Sequence, residues 1–312
     1  MLNSISTPVD FTIDDRFLGH DAIDVTGYLA RLGVSHPGPP SVGALRSLHR
    51  AHVERVAYQT ADIHLGRPTT IAPSASADRI VRHGWGGYCM HLNGAFSALL
   101  AALGYQVRRH RGGVQVAHGQ PAPGADANHL AVTVHGLPGP ENPGGSWLVD
   151  VGLGDGLHEP LPLAAGTYRQ GPFTYRLRPS PVEPRGWRLD HDPDGSFVAM
   201  DFVVEQATMA DFTARHVELT TSPASRFTRV LTVYRRDATG SDMMRGCVLT
   251  RVGADAGRWE LGGAAEWYAT LADRFGVILT DVPDSERMAL WERVRAAHDR
   301  WLASRARARE RV

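Results

Sequence analysis

Up to about residue 104 the apolar positions recur three and four apart, the spacing of one face of a helix. "DVTGYLARLGV" and "SVGALRSLHRAHVERVAY" both carry it, with Asp24 and Ser41 standing where N-caps belong. A third helix is expected from Cys89, with Leu92, Phe96, Leu99 and Leu103 as its apolar stripe and Gly104 as a C′ stop. From Tyr105 to about Ser225 the period falls to two. "YQVRRHRGGVQVA", "NHLAVTVHG", "SWLVDVGLG", "YRLRPS" and "GWRLDHD" predict short strands divided by Gly, Pro and Asn-Pro turns. Antiparallel strands of this kind build a barrel or a sandwich. The remainder mixes the strands "FTRVLTVYRR" and "CVLTRVG" with helices near "AEWYATLADRFG" and "SERMALWERVRAAHDRWLA". Helices, then strands, then a mixture predict an α+β fold with no alternating βαβ units, divided at 1–104, 105–225 and 226–312. The ending "SRARARERV" reads as a solvated helix end.

Composition narrows the partners. Lys plus Arg and Asp plus Glu both number 33, so the formal net charge is zero and nucleic acid is not an expected partner. No apolar run approaches the ~18 residues of a membrane span, so no membrane association is expected. "MLNSISTPVDFTIDDRFLG" lacks the basic-then-apolar pattern of a secretory leader. The two cysteines, Cys89 and Cys247, sit in unlike contexts and cannot form a disulfide framework, so a cytoplasmic protein is expected. No metal site and no tightly bound cofactor are expected, and the sequence does not fix the oligomeric state.

Cys89 carries the chemistry. A thiol is a useful nucleophile only as thiolate, and a helix start offers unpaired N–H groups with roughly half a positive charge. In "GWGGYCMHLNGAF" the cysteine stands at such a start, and Gly86 and Gly87 let backbone or substrate come close to the sulfur. Cys247, in the strand-like "GCVLTRVG", reads as a buried structural thiol. A cysteine nucleophile needs a base and a group to orient it. Of the 15 histidines, His129 stands out because it opens the strand "HLAVTV" on the face it shares with small Ala131 and Thr133. Asp150 lies among valines in the next strand and needs a partner there, which His129 supplies. Cys89, His129 and Asp150 are therefore the candidate nucleophile, base and orienter. Tyr88, Gly152 and Gly154, next to the nucleophile and the aspartate, join Gly86 and Gly87 as candidate substrate-binding positions.

"GGYCMHLNGAFSALLAALGY" resembles the active-site signature of the arylamine N-acetyltransferases, Arg-Gly-Gly-Tyr-Cys-Phe-Glu-Leu-Asn followed by a helix. "ADIHLGRP", "NHLAVTV", "WLVDVGLGDGLHEPLPL", "ADFTARHVELTTSPASRF" and "LADRFGVIL" resemble further landmarks of that family in the same order. The resemblance implies an N-terminal helical bundle, a central antiparallel β-barrel and a C-terminal α/β lid, around a catalytic core like that of the cysteine proteases. It implies a ping-pong reaction in which Cys89 takes an acetyl group from acetyl-CoA and passes it to an aromatic amine or hydrazine, with His129 and Asp150 completing the triad. Relatives of this fold also act as amide synthases of natural-product biosynthesis, taking an acyl chain from an acyl-carrier protein, which is the alternative donor. A cysteine hydrolase and a catalytically silent binder are the other readings; the retained triad argues against the second.

The signature also departs from the family pattern. Trp85 stands for the arginine before the glycines, His91 for the glutamate after the cysteine, and Tyr58-Gln59-Thr60 for Phe-Glu-Asn upstream. The resemblance implies an Arg–Glu pair beneath the site, and here both positions are neutral together. That reads as a coordinated replacement, since a single loss strands a buried charge. His91, two residues along the helix from Cys89, should point away from it.

Overall fold

The computed structural model describes residues 22–67 and 69–309. The expectations for a leader at the N-terminus and for the last residues of the C-terminal tail fall outside them. Helix α1 (Val25–Leu32) starts where Asp24 Oδ1 accepts the Gly27 N–H at 2.8 Å, and Gly33 ends it in the left-handed conformation. Helix α2 (Val42–Arg55) is capped by Ser41 Oγ, which accepts the Ala44 N–H. A two-residue strand β1 (Tyr58–Gln59) and helices α3 (Ala61–Leu65) and α4 (Pro73–His83) follow. Helix α5 (Cys89–Ala102) is buried on all sides from Cys89 to Leu100 rather than along one stripe, because its sequence carries no charged residue and the chain packs around it.

The middle of the chain is an eight-stranded antiparallel sheet, a nearly closed barrel. In chain order its strands are β2 (Gln106–Gln115), β3 (His129–His135), β4 (Trp147–Val149), β5 (Leu161–Pro162), β6 (Gly166–Gln170), β7 (Phe173–Pro179), β8 (Trp187–Asp190) and β9 (Ala199–Gln206). The spatial order is β5-β4-β3-β2-β9-β8-β7-β6. Alternation along β3 divides two cores. Leu130, Val132 and Val134 face the helices beside Phe96 and Leu99, while Ala131 looks into the barrel with Leu148, Met200 and Phe202. His129 at the start of β3 and Asp150 just after β4 stand next to each other and to Asn93 of α5.

Helix α6 (Thr213–Thr221) ends the stretch expected to be strands. "FTRV" is not a strand either: Ser225 Oγ accepts the Phe227 N–H and starts a short helix, α7 (Arg226–Arg229). Pairing resumes at β10 (Thr232–Asp237), followed by β11 (Gly240–Arg245), β12 (Val248–Gly253) and β13 (Gly257–Glu260). These form an antiparallel sheet in the order β1-β10-β11-β12-β13, so Tyr58 and Gln59 pair with a strand from the far end of the chain. Helices α8 (Ala264–Phe275) and α9 (Asp284–Arg309) belong with this sheet in a third core, where Val233, Met244 and Leu249 meet Trp267, Leu271 and Leu290. Among the described residues no helix is long and apolar enough to cross a membrane.

Candidate active site

Cys89 is the first residue of α5, so its sulfur lies at the turn whose N–H groups have no partner further up the helix. Its thiol donates to the Asn128 carbonyl at 3.6 Å. The loop after β4 approaches so closely that a Cβ on Gly152 would stand 2.7 Å from the Cys89 Cα. Only glycine allows that approach, and it brings the residues after Asp150 up against the start of α5.

His129 and Asp150 meet behind the sulfur. His129 Nε2 and Asp150 Oδ2 are 2.7 Å apart, with both side chains buried. The other carboxylate oxygen, Oδ1, accepts from Asn93 Nδ2 at 2.8 Å and from the Gly152 N–H at 2.9 Å. Asn93 also donates to the Leu130 carbonyl at 2.6 Å and accepts the Val151 N–H at 2.9 Å, so one amide ties α5 to β3 and to the end of β4. Asn93 is i+4 from Cys89 and shares its face of the helix. It is missing from the expected site, although a polar side chain at that spacing in an apolar helix was the available signal.

Charge separates His129 from His49, His52 and His110, which are also buried. Burial pushes His49 down to about 4, His52 to about 3 and His110 to about 4, so they pack as neutral rings. His129 is as deeply buried and moves the opposite way. Desolvation pulls it down, but the Asp150 carboxylate and the Cys89 sulfur together outweigh that and hold it up at about 10. A carboxylate on Nε2 leaves Nδ1 for the side toward Cys89.

Cys89, His129, Asn128 and Gly152 open into a cavity of about 460 Å³, roofed by residues from α6, α7, β10 and β11. Tyr58 and Tyr234 pack edge to face on one wall, their rings 5.5 Å apart. Ser196 and Phe197 form another, fixed where the buried Asp155 carboxylate accepts both the Ser196 hydroxyl and its N–H at 2.6 Å. Arg226, Arg229 and Arg245 also line the cavity, and none makes a salt bridge to a carboxylate among the described residues. Arg215 does, to Asp126 at the rim.

Of the five expected binding positions, Gly152 lines this cavity and the other four lie behind it. Gly86 is pressed against the Ala57 carbonyl, where a Cβ would stand 2.0 Å away. Gly87 backs onto His91. The Tyr88 ring is buried, with its hydroxyl hydrogen-bonded to His216 Nδ1 of α6. Gly154 lies against Tyr234 with φ +71°. His91 turns away from the sulfur and bonds Thr69 Oγ1 through Nε2 at 3.2 Å. The Trp85 ring packs into the lid core, while Gln59 Oε1 accepts the Ala61 N–H; Trp85 Nε1 and Gln59 Nε2 are both buried without a hydrogen-bond partner.

The sequence model of the family described as "N-acetyltransferase" matches residues 41–283. The arylamine N-acetyltransferase of Mycobacterium tuberculosis strain H37Rv is 32% identical over 290 residues, which cover 88% of this chain and 95% of that one. The arylamine N-acetyltransferase / N-hydroxyarylamine O-acetyltransferase of Salmonella typhimurium is 29% identical, covering 87% and 95%. Among solved structures, the Mycobacterium marinum arylamine N-acetyltransferase in complex with CoA superposes with a TM-score of 0.76 at 31% identity, over 87% of this chain and 98% of that one.

Proposed function

The chain belongs to the arylamine N-acetyltransferase family, and on that premise we propose that it moves an acetyl group from acetyl-CoA to an aromatic amine through a thioester on Cys89. The observation that carries this is the meeting of three elements at one sulfur: the start of α5, the start of β3 with His129, and the end of β4 with Asp150. The basic lining from Arg226, Arg229 and Arg245 suits a donor bearing phosphates. CoA serves as co-substrate.

In the first half-reaction His129, held by Asp150, keeps Cys89 as thiolate. The sulfur attacks the acetyl carbonyl, the new C–S bond forms, and CoA leaves as its thiolate and takes the proton from His129, whose imidazole is left neutral. In the second half the amine lone pair attacks the Cys89 thioester. His129 takes the proton from the amine nitrogen, and Cys89 departs again as thiolate. The backbone N–H of Cys89, at the positive end of α5, is one donor for the oxyanion that forms in both halves. Two modest barriers replace one high one, and the amine and CoA need not be bound together.

The test is intact-mass spectrometry after incubation with acetyl-CoA in the absence of amine. One acetyl mass should appear, map to Cys89 by peptide analysis, vanish in Cys89→Ala and persist in Cys247→Ala. Cys247 is buried in the lid core, where burial raises its thiol to about 11, so it should not compete. A label on Cys247, or acetyl transfer by Cys89→Ala, would overturn the mechanism.

A further inference from the structure

We propose that Arg79, paired with Asp62, is a positioning residue for Cys89. Arg79 lies on α4 and touches neither the sulfur nor the cavity, yet it grips three consecutive residues of the segment leading into α5. Its carbonyl accepts the Gly84 N–H that ends α4, and also the Trp85 N–H at 3.3 Å. Its guanidinium donates through Nη2 to the Gly86 carbonyl at 3.3 Å, and the same nitrogen is bound to Asp62 Oδ2 of α3. The next carbonyl, that of Gly87, is taken by the Gln59 N–H at 2.9 Å. The path of residues 84–87 is therefore set by Arg79 and β1, with Gly86 pressed on the Ala57 carbonyl beneath.

The pair is built for holding. Both side chains are largely withdrawn from solvent, 19% and 13% exposed, and Arg79 Nη1 is buried without a partner. Burial pushes the Asp62 carboxyl up, while Arg79 and the neighbouring Gln59 amide pull it back toward the ionised form. Burial raises Tyr88 and lowers His91, and the Arg79 charge opposes the first shift and adds to the second. The chain is neutral at Trp85 and Gln59, and the charge beneath the nucleophile turn comes from α3 and α4 instead. One guanidinium nitrogen, Nη2, gives its two N–H bonds to the carboxylate and the carbonyl, in directions fixed by the rigid plane, which a freely rotating ammonium does not fix.

The proposal rests on the reading of Cys89 as nucleophile, and its test keeps the two separable. Wild type, Arg79→Met, Arg79→Lys, Asp62→Asn and the Asp62→Asn/Arg79→Met double variant would be compared by thermal melts, by kcat and donor KM, and by iodoacetamide alkylation at pH 7 mapped to Cys89. Arg79→Met should slow alkylation and kcat together by about 10²-fold, the scale of a small misplacement of a reacting group, with donor KM unchanged. Arg79→Lys should recover part of that loss. The double variant, which removes both buried charges together, should recover the melt but not the alkylation rate. Recovery of both in the double variant, or wild-type kcat in a folded Arg79→Met, would reduce the pair to a structural role. Should Arg79→Met fail to fold, Arg79→Lys and the double variant decide the matter. Alkylation of Cys89 is read whether or not transfer survives Cys89→Ala, so failure of the nucleophile reading cannot pass for failure of this one.

Discussion

Replacing Asp150 by asparagine keeps the shape of the buried side chain and removes only its charge. If the amide oxygen stays with Asn93 and the Gly152 N–H, the amide nitrogen is left facing His129 Nε2. An N–H there forces Nε2 to accept, so the ring proton moves to Nδ1 and the nitrogen facing Cys89 can no longer take one. The electrostatic loss is of similar weight. Opposite charges about 4 Å apart attract by about 4 kcal/mol at an effective dielectric of about 20. At about 1.4 kcal/mol per tenfold, that lowers the thiolate–imidazolium population roughly a thousandfold. Iodoacetamide inactivation followed from pH 5 to 10 reads that population directly. Wild type should react at a nearly constant rate through neutrality. Asp150→Asn should be slow at pH 7 and rise only in the range of an ordinary thiol, about 8.5. A folded Asp150→Asn enzyme that alkylates at pH 7 as fast as wild type would refute the reasoning, because Asp150 would then neither charge nor orient His129.

Gly152→Ala should lower alkylation and acetyl transfer by about 10²-fold, since its Cβ would stand 2.7 Å from the Cys89 Cα and 2.9 Å from Asn93 Nδ2; unchanged kinetics would mean that the loop yields freely. Stability should also carry a signature of His129. Its folded pKa of about 10 lies above the unfolded value of ~6.5, so its contribution is complete below about pH 6.5 and fades as pH rises toward 10. Melts across that window should fall more steeply for wild type than for His129→Asn, and parallel curves would rule the ion pair out.

Much of this was legible in the sequence. Period-two alternation along "HLAVTV" set His129 apart from Leu130, Val132 and Val134, and the valines around Asp150 marked a carboxylate in need of a partner. The caps at Asp24 and Ser41 were legible because a local hydrogen bond defines them. The less legible elements draw their meaning from distant partners. Strand β11, "GSDMMR", looks polar in sequence and is buried because β10 and β12 enclose it. "AMDFVVEQ", β9, shows no clean alternation because both of its faces are covered, with Ala199 to Val203 all buried. "FTRV" suggests a strand until Ser225 caps it into a turn of helix. In the site, the local signal at Cys89 pointed to the glycines before it, whereas the cavity at Cys89 is closed by arginines more than a hundred residues downstream, whose spacing in sequence carries no sign of convergence.

Strand β1 consists of two residues, and they join parts of the chain made far apart in time. Tyr58 pairs with Tyr234 and Gln59 with Val233, while Tyr58 also bridges to Gly87. Closing so long a loop carries a large entropic cost, repaid only once the rest of the β10–β13 sheet exists. During synthesis the helical region therefore emerges with Tyr58 and Gln59 unpaired on the side that β10 will take, and β10 later arrives with a free edge of its own. Until the two meet, each is a template for a strand from another molecule. Two residues are thus the seam at which the last sheet is joined to the first-made part of the chain.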